Sequence, residues 1–367
     1  MRKIFIVDYI GTHCGMDYYL DAFKKVISCL ENTEVRILSN FPEKTTSDVF
    51  FINQYQGPIW RKAFSLARNL MRLKKYVMKH PEDVFIYLSY GNAIDLFFMN
   101  IVAKAPGHVI DIHEAIAQNV DGNESLLRKF AYIYSKKIKT IISHSARTDN
   151  YLRQFGFSGK RFNVPHFKYA IQKEYDINSV ARDIQEAFSA DKKNILFFGN
   201  LNESKGVDIL MQSINLLDDE TASRLNFIIA GKDFDGAINR TEIKCKDRVS
   251  LFPRHISDDE LRFMYANADF VTLPYRKTSQ SGILEMAFHF RKPVIVSQLP
   301  YFEKTLKEFP SFGLIFGNDE KALAAAFQKI AASDTTEYFT ERDYSKFENR
   351  KEISDFISDF SHWLERN

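Results

Sequence analysis

The stretch Leu273–Ser297, LPYRKTSQSGILEMAFHFRKPVIVS, decides how the rest of the chain is read. Ala268 to Leu273 is a short apolar run of buried-strand type, and Pro274 closes it. Tyr275 to Gly282 is rich in small, hydroxylated and amide residues, which predicts a loop. Ile283 to Phe290 predicts a helix, Lys292-Pro293 ends it, and Val294 to Ser297 predicts a second strand. A polar loop between a parallel strand and a helix N-terminus presents backbone N–H groups and the positive end of the helix dipole, and so can hold phosphate. The same pattern also describes an ordinary strand-to-helix loop. On this stretch alone both readings stay open.

Working outward, the same alternation recurs. Asn194–Phe198 predicts a strand, Gly199-Asn-Leu-Asn-Glu-Ser-Lys-Gly206 its loop and Val207–Leu217 its helix. Lys205 stands beside that helix N-terminus, where a lysine and backbone N–H groups can share one anion. Strands at 226–230 and 249–252 and a helix at 258–267 lead into the opening stretch; a strand at 312–316 and a helix at 319–332 follow it. Upstream, Ile4–Val7 and Glu34–Leu38 predict strands, separated by a loop with Gly11 and Gly15 and a helix over 18–30. That loop lacks the G-x-G-x-x-G spacing, so it carries no dinucleotide fingerprint. Strands at 84–88, 108–112 and 140–143 complete this half. His113 falls just past a strand's carboxyl end, the side on which parallel sheets bind ligands. It can serve a sugar hydroxyl or act as a base, or it can be a strand-end histidine satisfied by backbone. The fold class is α/β, with two Rossmann-like doubly wound halves and a junction over 167–191, where the pattern weakens.

Composition narrows the function. A chain of 367 residues is long for one core and favours two domains. Apolar and charged fractions of 45% and 26% are those of a soluble globular protein, and a net charge of +3 gives no support to nucleic-acid binding. Cys14, Cys29 and Cys245 are widely spaced with no metal-type pairs, which predicts reduced thiols and a cytoplasmic protein. The apolar run at the N-terminus is too short for a signal peptide, and no stretch is apolar and long enough to cross a bilayer. Ile59–His80 differs in kind. It carries Arg61, Lys62, Arg68, Arg72, Lys74, Lys75 and Lys79 without an acid, while Ala63, Leu66, Ala67, Leu70, Leu73 and Val77 fall at helical spacing. Such a helix packs on its own sheet with solvated charges, or adds to that an anionic membrane face.

Six segments in order resemble the C-terminal half of the retaining glycosyltransferases of family 4, which have the GT-B fold. They are Phe198–Leu210, Ile229–Gly231, Asp259–Leu261 with Tyr265 and Ala268-Asp269, Leu273-Pro274, Ser281-Gly282 and Lys292–Ile295. The resemblance implies two Rossmann-like domains facing across a cleft. They are an acceptor-side domain at 1–170 and a nucleotide-sugar domain at 171–345, with a final helix at 346–367 crossing back to the first. It gives Lys205 the donor diphosphate and His113 the transferred sugar. It gives Thr278, Ser279, Gln280, Ser281 and Gly282 contacts to the phosphates, and adds Gly11, Gly15 and Gly199 to the donor set. Asn200 stands where the family has an arginine, so Arg254 or Arg276 is the substitute this chain offers. The family's first glutamate is absent; counting back from Lys292-Pro293 puts the second at Met286, one place from Glu285. One position turns a helix by about 100°, so Glu285 reaches a ribose only in a shifted register.

The implied reaction moves a sugar from its nucleotide to a glycan or lipid-linked glycan, with retention and without a side-chain nucleophile. No Asp-x-Asp pair stands at a strand end, so no metal and no cofactor beyond the donor is expected. The partners are then the nucleotide sugar, the acceptor and an anionic membrane surface at the inner face, and no nucleic acid. Two alternatives share the anion loops: a catalytically silent homologue that binds a partner, and a GT-B nucleotide-sugar epimerase or hydrolase.

Overall fold

A computed structural model describes residues 2–11, 17–40, 49–53, 57–117, 122–165, 167, 171–233, 236, 238, 248–278 and 280–367. Gly15 and Ser279 therefore lie outside the described residues, as do Cys14 and Cys245. The chain divides into two compact units, Met1–Ala170 with Lys351–Asn367, and Ile171–Arg350.

The first unit is built on six parallel strands: β1 (Arg2–Val7), β2 (Thr33–Leu38), β3 (Val84–Ser89), β4 (Gly107–Ile112), β5 (Thr140–Ser143) and β6 (Lys160–Asn163). Their order across the sheet is β2-β1-β3-β4-β5-β6. Every residue of β3 and β4 is buried, as expected for central parallel strands covered on both faces. On one face the helices Ile59–Lys79, Asp95–Val102 and Glu124–Lys136 lie side by side over a core of Phe85, Phe98, Phe130 and Ile133. β6 is an edge strand whose single buried residue, Phe162, packs against Phe356, Phe360 and Trp363 of the final helix, Lys351–Arg366. Arg2 also donates to the carbonyl of Leu364 in that helix.

The second unit repeats the plan with β7 (Lys193–Phe198), β8 (Leu225–Ala230), β9 (Val249–Phe252), β10 (Phe270–Leu273), β11 (Val294–Ser297) and β12 (Gly313–Phe316). The order β12-β11-β10-β7-β8-β9, all parallel, is the doubly wound arrangement, and it reverses between β7 and β10. In doubly wound sheets the loops that leave the carboxyl ends of such neighbours border the ligand crevice. Gly199–Gly206 is one of these loops and Pro274–Ser281 the other.

The helix Ile59–Lys79 packs through Leu66, Leu70, Leu73 and Val77 of the stripe its apolar spacing predicts, with the buried face rotated toward Ser65 and Asn69. Ser65, Asn69, Leu73 and Val77 are buried, while Ala63 and Ala67 are exposed. The polar pair explains the rotation: Ser65 and Asn69 both donate to the carbonyl of Ile52, and the Asn69 side chain accepts from its N–H. Hydrogen bonds to a returning backbone segment satisfy these groups, so burying them costs little.

Candidate active site

At the crevice of the second unit, β7 ends at Phe198 and the loop carries Lys205 into the helix Val207–Asn215. Asn202 caps the short turn by accepting from the Lys205 N–H at 3.0 Å. Gly206 closes the loop with φ +68, and a Cβ there would stand 1.8 Å from the carbonyl oxygen of Pro274. Only glycine lets the two crevice loops approach this closely. That approach brings the Lys205 ammonium over the ring of Tyr275, 3.8 Å from its centroid. Tyr275 is buried, so the ring is a fixed support for the half-buried lysine. A Cβ at Gly199 would stand 3.6 Å from Ile283, in the first turn of the helix Gly282–His289. Ser281 caps that helix, its hydroxyl accepting from the Leu284 N–H at 3.3 Å. Thr278 donates to the carbonyl of Gln280 at 2.5 Å and shapes the turn before it. Lys205 and the helix N-terminus at Gly282 thus stand on the two loops that leave β7 and β10, where a doubly wound sheet binds anions.

Both arginines offered by the sequence are paired with carboxylates. Arg254 makes two bonds to Glu260, at 2.9 and 2.7 Å, and Glu260 in turn closes a capping box with Ser257. The guanidinium hydrogen bond holds the Glu260 carboxyl down at about 2. Arg276 is bidentate to Asp208, at 2.7 and 2.6 Å, and its N–H donates to the carbonyl of Ser204. This pair ties the β10 loop to the β7 loop. Asn200 is exposed.

Glu285 points inward. It is buried and accepts from Arg350, also buried, at 3.2 Å. Met286, the position reached by counting back from Lys292-Pro293, is buried as well. From this pairing, Glu285→Gln is expected to destabilise the fold by about 2 kcal/mol, because Arg350 keeps its hydrogen bond but loses its counter-charge. Nucleotide affinity should stay within twofold, measured by titration of a nucleoside diphosphate. A large loss of affinity with unchanged stability would put Glu285 on the ligand instead.

His113 follows β4 in the first unit and lies in a buried polar cluster. Its ring stacks on Tyr90 at 5.4 Å, meets Tyr19 edge-on at 4.3 Å and has Nε2 3.8 Å from Asp111. Asp111 accepts from the Tyr19 hydroxyl and from His144 Nε2, both at 2.6 Å. His144 Nδ1 faces the carbonyl of Val164 at 3.0 Å. His144 Nε2 also lies 3.1 Å from the Tyr19 hydroxyl; an imidazolium donating from both nitrogens suits the Asp111 carboxylate and the Val164 carbonyl. Burial opposes the charge on His144, and the Asp111 carboxylate overcomes it, raising the His144 pKa. Burial likewise pushes His113 down, to about 4, so His113 is neutral at physiological pH. Gly11 follows β1, and its N–H donates to Asp8, which also accepts from the Tyr90 hydroxyl. Asp8, Tyr19, Asp111 and His144 were not singled out in the sequence, although Asp8 and His144 each stand one residue past a strand end, as His113 does. Among the described residues no group of three His, Cys, Asp or Glu side chains is arranged to hold a metal ion.

The cluster makes a pH prediction. His113 has its folded pKa below the ordinary 6.5, so as pH falls the unfolded chain takes a proton the folded chain refuses. This costs about 3 kcal/mol between pH 6.5 and 4. Burial raises Asp95 from 3.8 to about 6, despite donors from Tyr87, Ser89, Tyr90 and Asn92. There the folded chain takes the proton first, and stability rises by about 3 kcal/mol over nearly the same window. The two nearly cancel. Denaturant unfolding from pH 7 to 4 should find a shallow wild-type profile, His113→Gln gaining stability toward pH 4 and Asp95→Asn losing it. Parallel profiles for all three would show that neither group is perturbed.

Residues 192–333, most of the second unit, match the family model described as glycosyl transferases group 1. Sucrose-phosphate synthase from Thermosynechococcus elongatus is similar over 100% of this chain and 99% of its own, with TM-score 0.72 and 15% identity. The Anabaena protein HepE in complex with UDP-glucose is similar over the whole of both chains, with TM-score 0.67 and 15% identity. WaaG, a glycosyltransferase involved in lipopolysaccharide biosynthesis, covers 99% of each chain with TM-score 0.67 and 12% identity. No curated protein matches the chain. At these identities the solved structures show the fold, and that fold is GT-B.

Proposed function

Taking residues 192–333 as a group 1 glycosyl transferase module on a GT-B scaffold, we propose that the chain is a nucleotide-sugar-dependent glycosyltransferase. In this reading it transfers a hexosyl group with retention to a glycan or lipid-linked glycan of the cell surface. The observation that carries the reading is Lys205 seated on Tyr275, on the loop that leads to the helix N-terminus at Gly282. The anomeric carbon loses its bond to the β-phosphate oxygen and gains one to the acceptor oxygen on the same face. The acceptor's proton passes to the departing phosphate. Charge develops on the diphosphate through an oxocarbenium-like transition state, and fixed positive groups are worth most at that moment. Lys205 and the backbone N–H groups of 280–282 supply them. His113, being neutral, can hydrogen-bond the sugar without adding charge.

UDP and other nucleoside diphosphates are the first ligands to screen by thermal unfolding. A ligand at a hundredfold excess over its Kd should add about 2.7 kcal/mol. The engagement of Arg254 and Arg276 with carboxylates favours one rival, a homologue that binds but does not turn over. Stabilisation by a diphosphate without sugar transfer from any donor would support that rival. If no nucleoside diphosphate stabilises the protein, the donor site proposed here does not exist.

A further inference from the structure

Among the described residues, nine of the exposed large apolar side chains lie in the first unit (Ile52, Ile59, Trp60, Phe64, Met71, Met78, Ile94, Phe97, Tyr132), and only three in the second. Eight of the nine, all but Ile52, lie in or beside one layer, the side-by-side helices Ile59–Lys79, Asp95–Val102 and Glu124–Lys136. On the long helix the exposed set is ordered. Trp60, Phe64, Met71 and Met78 are 63%, 67%, 58% and 67% exposed. At 100° per residue they fall within about 40° of one another, a stripe about 27 Å long. The buried stripe of Ser65, Asn69, Leu73 and Val77 lies on the opposite side. The helix therefore has two apolar faces, one for the core and one unpartnered. Lys75 and Lys79 border the outer stripe on one side and Lys74 on the other, and the helix contains no acidic residue. Arg68 and Arg72 serve the fold, reaching the carbonyls of Ile52 and Val49.

We propose that this helix layer is a docking face for an anionic lipid bilayer, on which Trp60, Phe64, Met71 and Met78 enter the headgroup boundary and the flanking lysines meet lipid phosphates. An aromatic and methionine stripe between basic borders matches a surface that is apolar below and anionic above. A protein partner with acidic patches would have to supply both features along the same line. No described helix is long and apolar enough to cross a membrane, so the attachment is peripheral. The inference stands on the first unit alone and does not depend on the donor site.

The chain carries its own reporter. Of its two tryptophans Trp363 is buried, so a change in emission on binding comes from Trp60. Full-length protein is mixed at low salt with vesicles of phosphatidylcholine, alone or with an equal part of phosphatidylglycerol. Co-sedimentation and a blue shift with the anionic vesicles only, both reversed by high salt, are expected. Each exposed lysine at the surface is worth about fivefold, so Lys74→Gln with Lys75→Gln and Lys79→Gln should weaken binding about a hundredfold. Phe64→Ser with Met71→Ser should weaken it about tenfold or more, while thermal stability and stabilisation by UDP stay unchanged. No binding to either vesicle overturns the proposal. So does equal binding to both, or binding untouched by the lysine substitutions. A dimer in sedimentation velocity that Phe64→Ser and Met71→Ser dissociate, without vesicle binding, would assign the stripe to a second copy instead.

Discussion

Lys205→Ala lowers kcat/KM for sugar transfer by about 10²–10³-fold, the loss seen when one preorganised donor to a developing oxyanion is removed. The expectation follows from what surrounds the lysine. Arg254 and Arg276 hold carboxylates, leaving Lys205 as the cation placed over the crevice by a buried ring. Its contact with the diphosphate tightens as the phosphate departs, so kcat falls together with affinity for the nucleoside diphosphate. Tyr275 sharpens the test because its ring, packed against Phe302, supports the Lys205 ammonium. Tyr275→Phe keeps the aromatic face and should keep activity within about twofold. Tyr275→Leu removes that face and should cost about tenfold, the worth of a partly desolvated cation–π contact. Steady-state kinetics with any accepted donor, alongside diphosphate titration, reads all three variants. Full activity and affinity in Lys205→Ala would place the phosphate site elsewhere.

Elements buried on both sides were legible in the sequence. The apolar run of β3, the mostly apolar β4, and the amphipathic final helix with its Phe356, Phe360 and Trp363 stripe announce themselves through composition and period. β6 did not, because Lys160-Arg-Phe-Asn163 is an edge strand with one inward residue. The helices Pro300–Glu308 and Glu341–Glu348 went unread, since each shows few apolar positions. In the site, Lys205 and His113 were visible because position after a strand end is a local property. Their partners are not local. Asp111 and His144 are 33 residues apart, Glu285 and Arg350 65, and Asp208 and Arg276 68. A single sequence shows that a carboxylate exists; only the fold shows which cation neutralises it. The rotated burial of the helix Ile59–Lys79 has the same cause. Ser65 and Asn69 look like solvent residues until the carbonyl of Ile52 arrives to satisfy them.

Asp111 is where substitution should cost the fold most. It is fully buried on β4, with the Tyr19 hydroxyl and the His144 imidazolium on its two oxygens. Asp111→Ala strands a buried cation and an unpaired hydroxyl, and the expected loss is about 3–5 kcal/mol. Asp111→Asn is milder. A neutral His144 can keep Nδ1–H on the Val164 carbonyl and accept at Nε2 from the new amide, so every group stays satisfied and the loss is about 1–2 kcal/mol. The pH dependence distinguishes this account from simple loss of packing. His144 has a folded pKa raised above its unfolded value, so the stability it contributes is complete below about pH 6.5 and disappears as pH rises through the folded value. Burial opposes the charge on Asp111, but His144 and His113 hold its pKa below the ordinary value. Its share is therefore present above about pH 4 and is lost on acidification through the folded value. The gap between wild type and Asp111→Asn should be widest from about pH 4 to 6.5 and narrow toward pH 9. Denaturant unfolding of wild type, Asp111→Asn and Asp111→Ala at pH 5.5 and pH 9 measures it. A gap equal at both pH values, or an alanine variant as stable as the asparagine one, would mean that no charged pair exists at this position.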